Sequence, residues 1–264
     1  MKTNKVKEAL RRGEPQVGTW LTLASPFATR FLARSGFPWL TVDIEHSPVD
    51  WETAAMMFAT IADAGCVPLA RVPSNGHDHI KRALDSGAHG IVVPMVNTPE
   101  EAEAAVAAAR YPPEGRRSVG GSLHALSWGA TPSAYFASAN REVLVVLQAE
   151  HVKAVENAEK IYSLKGIDAM FIGPNDLLAS MNKTPKMESD DKEFVDALRH
   201  LRETAVSRGI APGLHTGDAA MARRRIAEGW KFIAVGSDLA LMISAASAIL
   251  ADLGRGEARE TARY

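Results

Sequence analysis

Polar and charged residues stand at the ends of short apolar runs in this chain, and they recur in the same relative place. Asp43-Ile44-Glu45-His46 closes one run, Arg71 closes the next, and Gln148-Ala149-Glu150 closes another. Gly173-Pro174-Asn175-Asp176 follows a further run, while His215 and Ser237-Asp238 end two more. Charge at the end of an apolar strand is costly unless it pairs, binds metal or faces a polar site. Each instance is weak by itself, and their coincidence is the functional signal. Glu150 and Asp176 follow successive runs. Two such carboxylates, completed by water, suit a hard divalent cation such as Mg2+ or Mn2+. Salt-bridged acids are the other reading, with Asp176 simply capping the next helix. Arg71 could hold a carboxylate or stabilise an enolate oxygen, or form a structural ion pair with Glu45. His46 has the type of a general base poised near neutral pH, set against a purely structural histidine. Asp85, in Ile80-Lys81-Arg82-Ala83-Leu84-Asp85, could orient a histidine or pair with Lys81.

The remaining reactive residues rank lower. His77 and His79 flank Asp78 near a helix start, His89 precedes a strand and His200 sits within a helix. His124, His151 and His215 could reach a pocket at a barrel mouth, without being assigned to a metal. Cys66 is the one cysteine, so no intrachain disulfide forms. It precedes a run, at the end opposite the expected site, which argues against a nucleophile. A Schiff-base aldolase needs a buried lysine. Lys165 and Lys231 precede their runs and lie on the wrong face, which disfavours imine chemistry and leaves a metal as electron sink.

Elements must position these residues. Eight β-branched or apolar runs recur, at 17–21, 39–44, 67–72, 90–95, 143–149, 169–172, 212–215 and 232–235. Their near-continuous apolarity suits parallel strands buried on both faces. Helical patterns separate them. Residues 51–64 follow a capping Asp50, residues 192–208 stop at Gly209, and Thr98-Pro99-Glu100-Glu101 reads as cap, first-turn proline and first-turn acids. Eight strands alternating with helices give the arithmetic of a (β/α)8 TIM barrel filling 1–264 as a single domain. A doubly wound open sheet shares the alternation, but no GxGxxG follows the first strand and no GxxxxGK[ST] occurs. The connection at 111–140 is long and rich in Pro, Gly and Ser, the kind of segment that tends to be functional.

Composition narrows the classes. A net charge of −1 on 264 residues excludes nucleic-acid binding driven by bulk charge. With 46% hydrophobic and 23% charged residues, the chain has the make-up of a folded globular protein rather than a disordered one. The first fifteen residues mix both charges and lack the apolar stretch of a signal peptide. The apolar run 239–251 is shorter than the ~18 residues a membrane span needs, so the expectation is no membrane and a cytoplasmic protein. Such a helix belongs in the core or against another subunit.

At this point the sequence resembles the HpcH/HpaI family of metal-dependent pyruvate aldolases, over about residues 17–241. The segments that carry it are Val42-Asp43-Ile44-Glu45-His46, Arg71-Val72-Pro73 with residues 80–85, Val93-Pro94-Met95, and Arg110-Tyr111-Pro112-Pro113. Gln148-Ala149-Glu150, Phe171-Ile172-Gly173-Pro174-Asn175-Asp176-Leu177 and Val235-Gly236-Ser237-Asp238 complete it. The resemblance implies His46 as base, acting directly or through a water, with Asp85 raising its basicity. It implies Arg71 at the enolate, and Glu150 and Asp176 as ligands of Mg2+, Mn2+ or Co2+. Gln148 and the backbone at Asn175, Asp176 and Leu214 would contact the pyruvate part. It also implies a homo-oligomer, a hexamer built as a trimer of dimers, with the last helix exchanged between subunits. Three positions depart from the family pattern: Ile44 where glycine is frequent, His151 where threonine is frequent, and Asn175 where alanine is frequent. Asn175 would contribute backbone, whereas His151 beside Glu150 bears on the acceptor pocket and the metal preference.

The expected reaction is reversible cleavage of a 4-hydroxy-2-oxo acid to pyruvate and an aldehyde, through a metal-stabilised enolate. The partners expected are a small keto acid and an aldehyde. A related barrel lyase acting on a CoA thioester or phosphorylated keto acid is the nearest rival, resting on Gly236-Ser237-Asp238 at a helix start. No basic cluster suited to CoA accompanies it. A non-catalytic keto-acid-binding protein is the rival from another class.

Overall fold

The computed structural model describes residues 1–255. The apolar runs become β1 (Gln16–Leu21), β2 (Trp39–Asp43), β3 (Val67–Arg71), β4 (Gly90–Val93), β5 (Leu144–Gln148), β6 (Ala169–Ile172), β7 (Ala211–Thr216) and β8 (Phe232–Ser237). All neighbouring strands are parallel and follow chain order, and β8 returns to β1 to close the barrel. The (β/α)8 expectation holds for the described residues. Residues 256–264 of the single-domain reading lie outside them.

The helices are α1 (Lys5–Arg11), α2 (Pro26–Leu32), α3 (Trp51–Asp63), α4 (His77–Asp85), α5 (Pro99–Ala109), α6 (Leu123–Ser127) and α7 (Pro132–Glu142). They continue as α8 (Val152–Glu156), α9 (Ala158–Tyr162), α10 (Pro174–Ser180), α11 (Lys192–Ser207), α12 (Ala219–Ala227) and α13 (Asp238–Asp252). Local chemistry starts them where the sequence suggests. Asp50 Oδ1 accepts from Thr53 N at 2.7 Å, and Thr98 and Glu101 form a reciprocal capping box. The connection at 111–140 is more ordered than its composition suggests, because it contains α6 and α7. Thr131 caps α7, and Pro132 occupies its first turn.

The interior of the barrel is a packed core. Trp39 stacks on Phe232 with centroids 4.4 Å apart, and Trp20, Leu69, Val92, Val146 and Phe171 fill the space around them. Gly18 is required there, since a Cβ would meet the Trp39 ring at 2.2 Å. α1, absent from the sequence expectation, closes the floor with Val6 and Leu10. Its Asn4 cap also donates to His89 O at 3.1 Å. A filled interior and a plugged floor leave the mouth, at the carboxyl ends of the strands, as the place for a site.

α13 stands apart. Of its residues only Asp238 is buried, and Leu241, Met242, Ile249 and Leu250 are exposed. Its apolar side chains therefore do not serve this chain's own core. No described helix is long and apolar enough to cross a membrane.

Candidate active site

Strand register builds the first half of the mouth. β2 and β3 align Asp43 directly with Arg71. Arg71 Nε donates to Asp43 Oδ1 at 2.9 Å and Nη2 to Oδ2 at 2.5 Å, a two-pronged pair that fixes the guanidinium plane. Glu45 lies farther away, at 3.4 Å from Arg71 Nε. The expected Arg71–Glu45 ion pair is thus secondary to one with Asp43. Asp43 Oδ1 also accepts from the backbone N–H groups of Glu45 and His46, turning the chain at the end of β2. The Arg71 guanidinium carbon sits 4.7 Å from the centre of the Trp20 ring.

The second half holds carboxylates. Glu150 Oε1 accepts from Met95 N at 2.9 Å, and Oε2 from Gln148 Nε2 at 2.8 Å. Met95 presents its N–H from a left-handed backbone conformation, φ 53°, a strain of the kind that gathers at functional sites. Burial pushes the Glu150 carboxyl up to about 7, and the nearby Asp176 charge pushes the same way. Asp176 lies in the first turn of α10, whose N-cap is Gly173, so it does not cap that helix. A Cβ on Gly173 would lie 2.5 Å from Glu150 Oε2 and 3.6 Å from Asp176 Oδ2. Both carboxylates therefore flank one point that glycine keeps open.

These groups share a cavity of about 500 Å³ of atom-free space, part of it open to solvent. Among the described residues no three His, Cys, Asp or Glu side chains gather as a metal cluster. Two carboxylates with little opposing charge still fit a hard divalent cation, which takes its remaining oxygens from water and substrate. Gln148 Oε1, buried on the cavity wall without a partner, adds an unmet acceptor.

Of the residues singled out in the sequence, Arg71, Gln148, Glu150, Asn175 and Asp176 meet around this cavity. His46 stands at the rim, its side chain 44% exposed and its Nε2 3.8 Å from Glu45. Leu214 is buried in the outer core, so only its backbone can serve the site. Asp85 does not join this cavity within the chain. It ends α4, about 12 Å along that helix from its mouth-side start at 1.5 Å per residue. There Arg117 Nη2 holds it at 2.7 Å, while Arg117 Nη1 donates to the Tyr135 hydroxyl at 2.8 Å. The partner of Asp85 is thus a buried arginine from the long connection, rather than Lys81 or a histidine of the mouth. His124 packs on Tyr135 in the same knot, 4.3 Å between centroids, and His151 caps α8 with Nδ1 accepting from Lys153 N.

Sequence reasoning passed over Trp20, Thr22 and Met187, which also line the cavity, and Asp43 as the arginine's partner. The alternation Gly18, Trp20, Thr22 on and after β1 was the available signal for an inward face. The phosphate reading of Gly236-Ser237-Asp238 finds no cradle. Ser237 Oγ accepts from Ala240 N, and the Asp238 carboxylate already takes Thr22 N at 2.8 Å and Leu239 N at 2.8 Å.

A family model described as HpcH/HpaI aldolase/citrate lyase matches residues 16–245. A hydroxypyruvate/pyruvate aldolase of Rhizorhabdus wittichii is 36% identical over 249 residues, covering 94% of this chain and 98% of the relative. A 5-keto-4-deoxy-D-glucarate aldolase of Shigella dysenteriae is 38% identical over 242 residues, covering 92% and 93%. A solved HpcH/HpaI aldolase/citrate lyase family protein from Burkholderia cenocepacia J2315 superposes with a TM-score of 0.89 at 34% identity, over 96% of this chain and all of that one.

Proposed function

The chain belongs to the HpcH/HpaI aldolase/citrate lyase family and is a carbon–carbon lyase of the aldolase type. From that premise we propose that it is metal-dependent and reversibly cleaves a 4-hydroxy-2-oxo acid to pyruvate and an aldehyde. One observation carries the reading: Arg71, locked by Asp43, shares a cavity with the Glu150 and Asp176 carboxylates. The relatives' names, a hydroxypyruvate/pyruvate aldolase and a keto-deoxy-glucarate aldolase, support a 2-oxo acid as the common substrate part.

Glu150 and Asp176 would hold the divalent cation, Mg2+, Mn2+ or Co2+, which would supply Lewis acidity to the keto acid. Gln148 and the backbone at Asn175, Asp176 and Leu214 orient the carboxylate end. Arg71 places its positive charge where charge collects on the keto oxygen as the C3–C4 bond breaks. His46, from the rim, takes the C4 hydroxyl proton in cleavage and a C3 proton of pyruvate in synthesis. The test is cleavage of a panel of 4-hydroxy-2-oxo acids with pyruvate release as readout. Release with Mn2+ or Mg2+, abolished by a chelator, supports the reading. Chelator-resistant release, or none with any divalent metal, overturns it.

The exposed apolar face of α13 supports a proposed assembly. A groove lined by Val17, Phe37, Ala222, Ile226 and Val235 runs beside its base, with about 1040 Å³ of atom-free space. The exposed apolar face of α13 matches such a groove, so a second copy of this chain is the proposed occupant, within a hexamer arranged as a trimer of dimers. Light scattering on the full chain, and on a chain ending before α13, reads this directly. A hexamer that falls to smaller species supports it, and a monomeric full chain contradicts it. Cys66, a buried free thiol, supports a reducing cytoplasmic setting.

A further inference from the structure

Met187 has no part in the chemistry above, yet it lines the mouth cavity, partly buried. It reaches the cavity by a different route from its neighbours. The other described lining residues lie on a barrel strand or within a few residues of a strand's end, Asp176 being the farthest out. Met187 instead follows α10, in the segment 181–191 that leads into α11. α11 runs down to the floor-side start of β7, so its first residue and the segment before it stand at the mouth.

The segment is tied in place. Lys183 Nζ meets Asp191 Oδ1 at 2.5 Å and Glu193 Oε2 at 3.0 Å, which draws its two ends together. Asp191 also caps α11, and its N–H donates to the buried Ser189 Oγ at 3.2 Å. Glu188 takes Arg224 Nη2 on both oxygens, at 3.0 and 2.8 Å, and lies 3.4 Å from Arg225 Nη2. Each exposed pair is weak alone, but they converge on one short segment. Consecutive side chains thus face opposite ways, Glu188 outward to α12 and Met187 inward to the cavity.

Depth then decides what Met187 can touch. Gln148, Glu150 and the turn at Asn175 and Asp176 sit at the strand ends or one turn beyond. Beneath them the barrel is filled, with Trp20 and Phe171 in its core. A keto acid anchored on these groups, with its keto oxygen toward Arg71, extends the rest of its chain outward, under the covering segment. That outer part is the part derived from the aldehyde. A thioether is flexible, polarizable and a weak acceptor at best. An alkyl group set against it sheds water and loses no hydrogen bond. A hydroxyl in the same place gives up water without an equal partner.

We propose that Met187 roofs the aldehyde subsite and biases the enzyme toward aldehydes with an apolar carbon, rather than a hydroxyl, at the second atom beyond the carbonyl carbon. The inference rests on the aldolase reading and adds the aldehyde class to it.

Propanal and glycolaldehyde test it, because they differ only by methyl against hydroxyl at that atom. Each is condensed with saturating pyruvate on Mn2+-loaded full-length enzyme, and kcat/KM for the aldehyde is read from the initial rate of product formation by NMR. The wild type is expected to favour propanal about fivefold. Met187→Gln keeps the length of the side chain and presents an amide, and the propanal-to-glycolaldehyde ratio is expected to fall about tenfold. Met187→Leu keeps the apolar volume and should keep the ratio. Exchange of pyruvate C3 hydrogens with D2O, followed on the same proteins without aldehyde, reads the keto-acid half alone. A Met187→Gln loss of exchange equal to its loss with propanal places Met187 on pyruvate and overturns the inference. So does a wild type that favours glycolaldehyde, or a ratio that Met187→Gln leaves within about twofold. A wild type that neither exchanges pyruvate nor condenses either aldehyde, with any divalent metal, instead defeats the aldolase reading and this inference with it.

Discussion

The two ends of the barrel each bury a cluster of charges, with opposite excess. At the floor, buried Lys7 and Arg110, with the more exposed Arg11, gather on Asp168. At the mouth, one arginine, Arg71, faces Asp43, Glu45, Glu150 and Asp176. Floor donors are spent on the backbone. Lys7 Nζ and Arg110 Nη1 both donate to Val143 O, at 2.8 and 3.0 Å, and Arg110 Nη2 donates to Gly166 O at 3.1 Å. Asp168 in turn accepts from Val145 N. These bonds tie α1 and α5 to the amino ends of β5 and β6, which is structural work. The mouth instead keeps an unpartnered Gln148 oxygen and two carboxylates around the open point beside Gly173. Similar groups hold the fold together when the backbone satisfies them, and await a ligand when it does not. This agrees with the division between stabilising and catalytic ends in barrels of this class.

That contrast breaks if a floor substitution acts on turnover or a mouth substitution spares it. The largest effect belongs to Asp168→Asn, which strands Lys7 and Arg110 without their acid. Breaking a buried pair from one side costs about 3–5 kcal/mol, readable by urea denaturation. Turnover per folded molecule should hold. Arg71→Ala comes next. Losing a donor aimed at developing charge lowers kcat about 10²–10³-fold, while Mn2+ affinity measured by calorimetry changes little. Turnover retained in that variant would remove Arg71 from the chemistry.

A smaller effect separates the ends by pH. Glu150 titrates near 7 in the folded chain against an ordinary 4.5. Between those values the folded chain keeps a proton that the unfolded chain has released. Its contribution is full below 4.5 and is lost as pH rises through 7. Metal-free protein should therefore lose on the order of 3 kcal/mol across that window, and Glu150→Gln should flatten the loss. Lys7 runs the other way, because burial lowers it from 10.5 to about 8. Between 8 and 10.5 the unfolded chain holds the extra proton, so stability rises with pH, and Lys7→Met should remove the rise. Denaturation midpoints across pH 4–11 check both, and a Glu150→Gln curve that still falls toward pH 7 breaks the comparison.

Much of the mouth was legible because parallel strands write their ends plainly. An apolar run that stops in Arg71 or in Gln148-Ala149-Glu150 states both an element and the direction of its polar end. Pairings across strands were not legible. Asp43 was visible, but only the β2–β3 register makes it, rather than Glu45, the arginine's main partner. The partner of Asp85 within the chain was not legible for a related reason. That partner, Arg117, lies 32 residues away in a connection whose composition suggests loop, and nothing local announces it. His215 was visible as a polar strand end, while its stack on Trp20 joins β7 to β1 across the barrel. The apolarity of α13 was plain, but the sequence left open whether this chain or another covers it.

The central claim is that the mouth forms an enolate under the joint control of Arg71 and a cation held by Glu150 and Asp176. Exchange of pyruvate C3 hydrogens with D2O tests it without any assumption about the aldehyde. The account predicts exchange with added Mn2+, its loss on chelation and return with fresh metal, and its collapse in Arg71→Ala. Exchange that survives chelation, or that Arg71→Ala sustains at the wild-type rate, would contradict it.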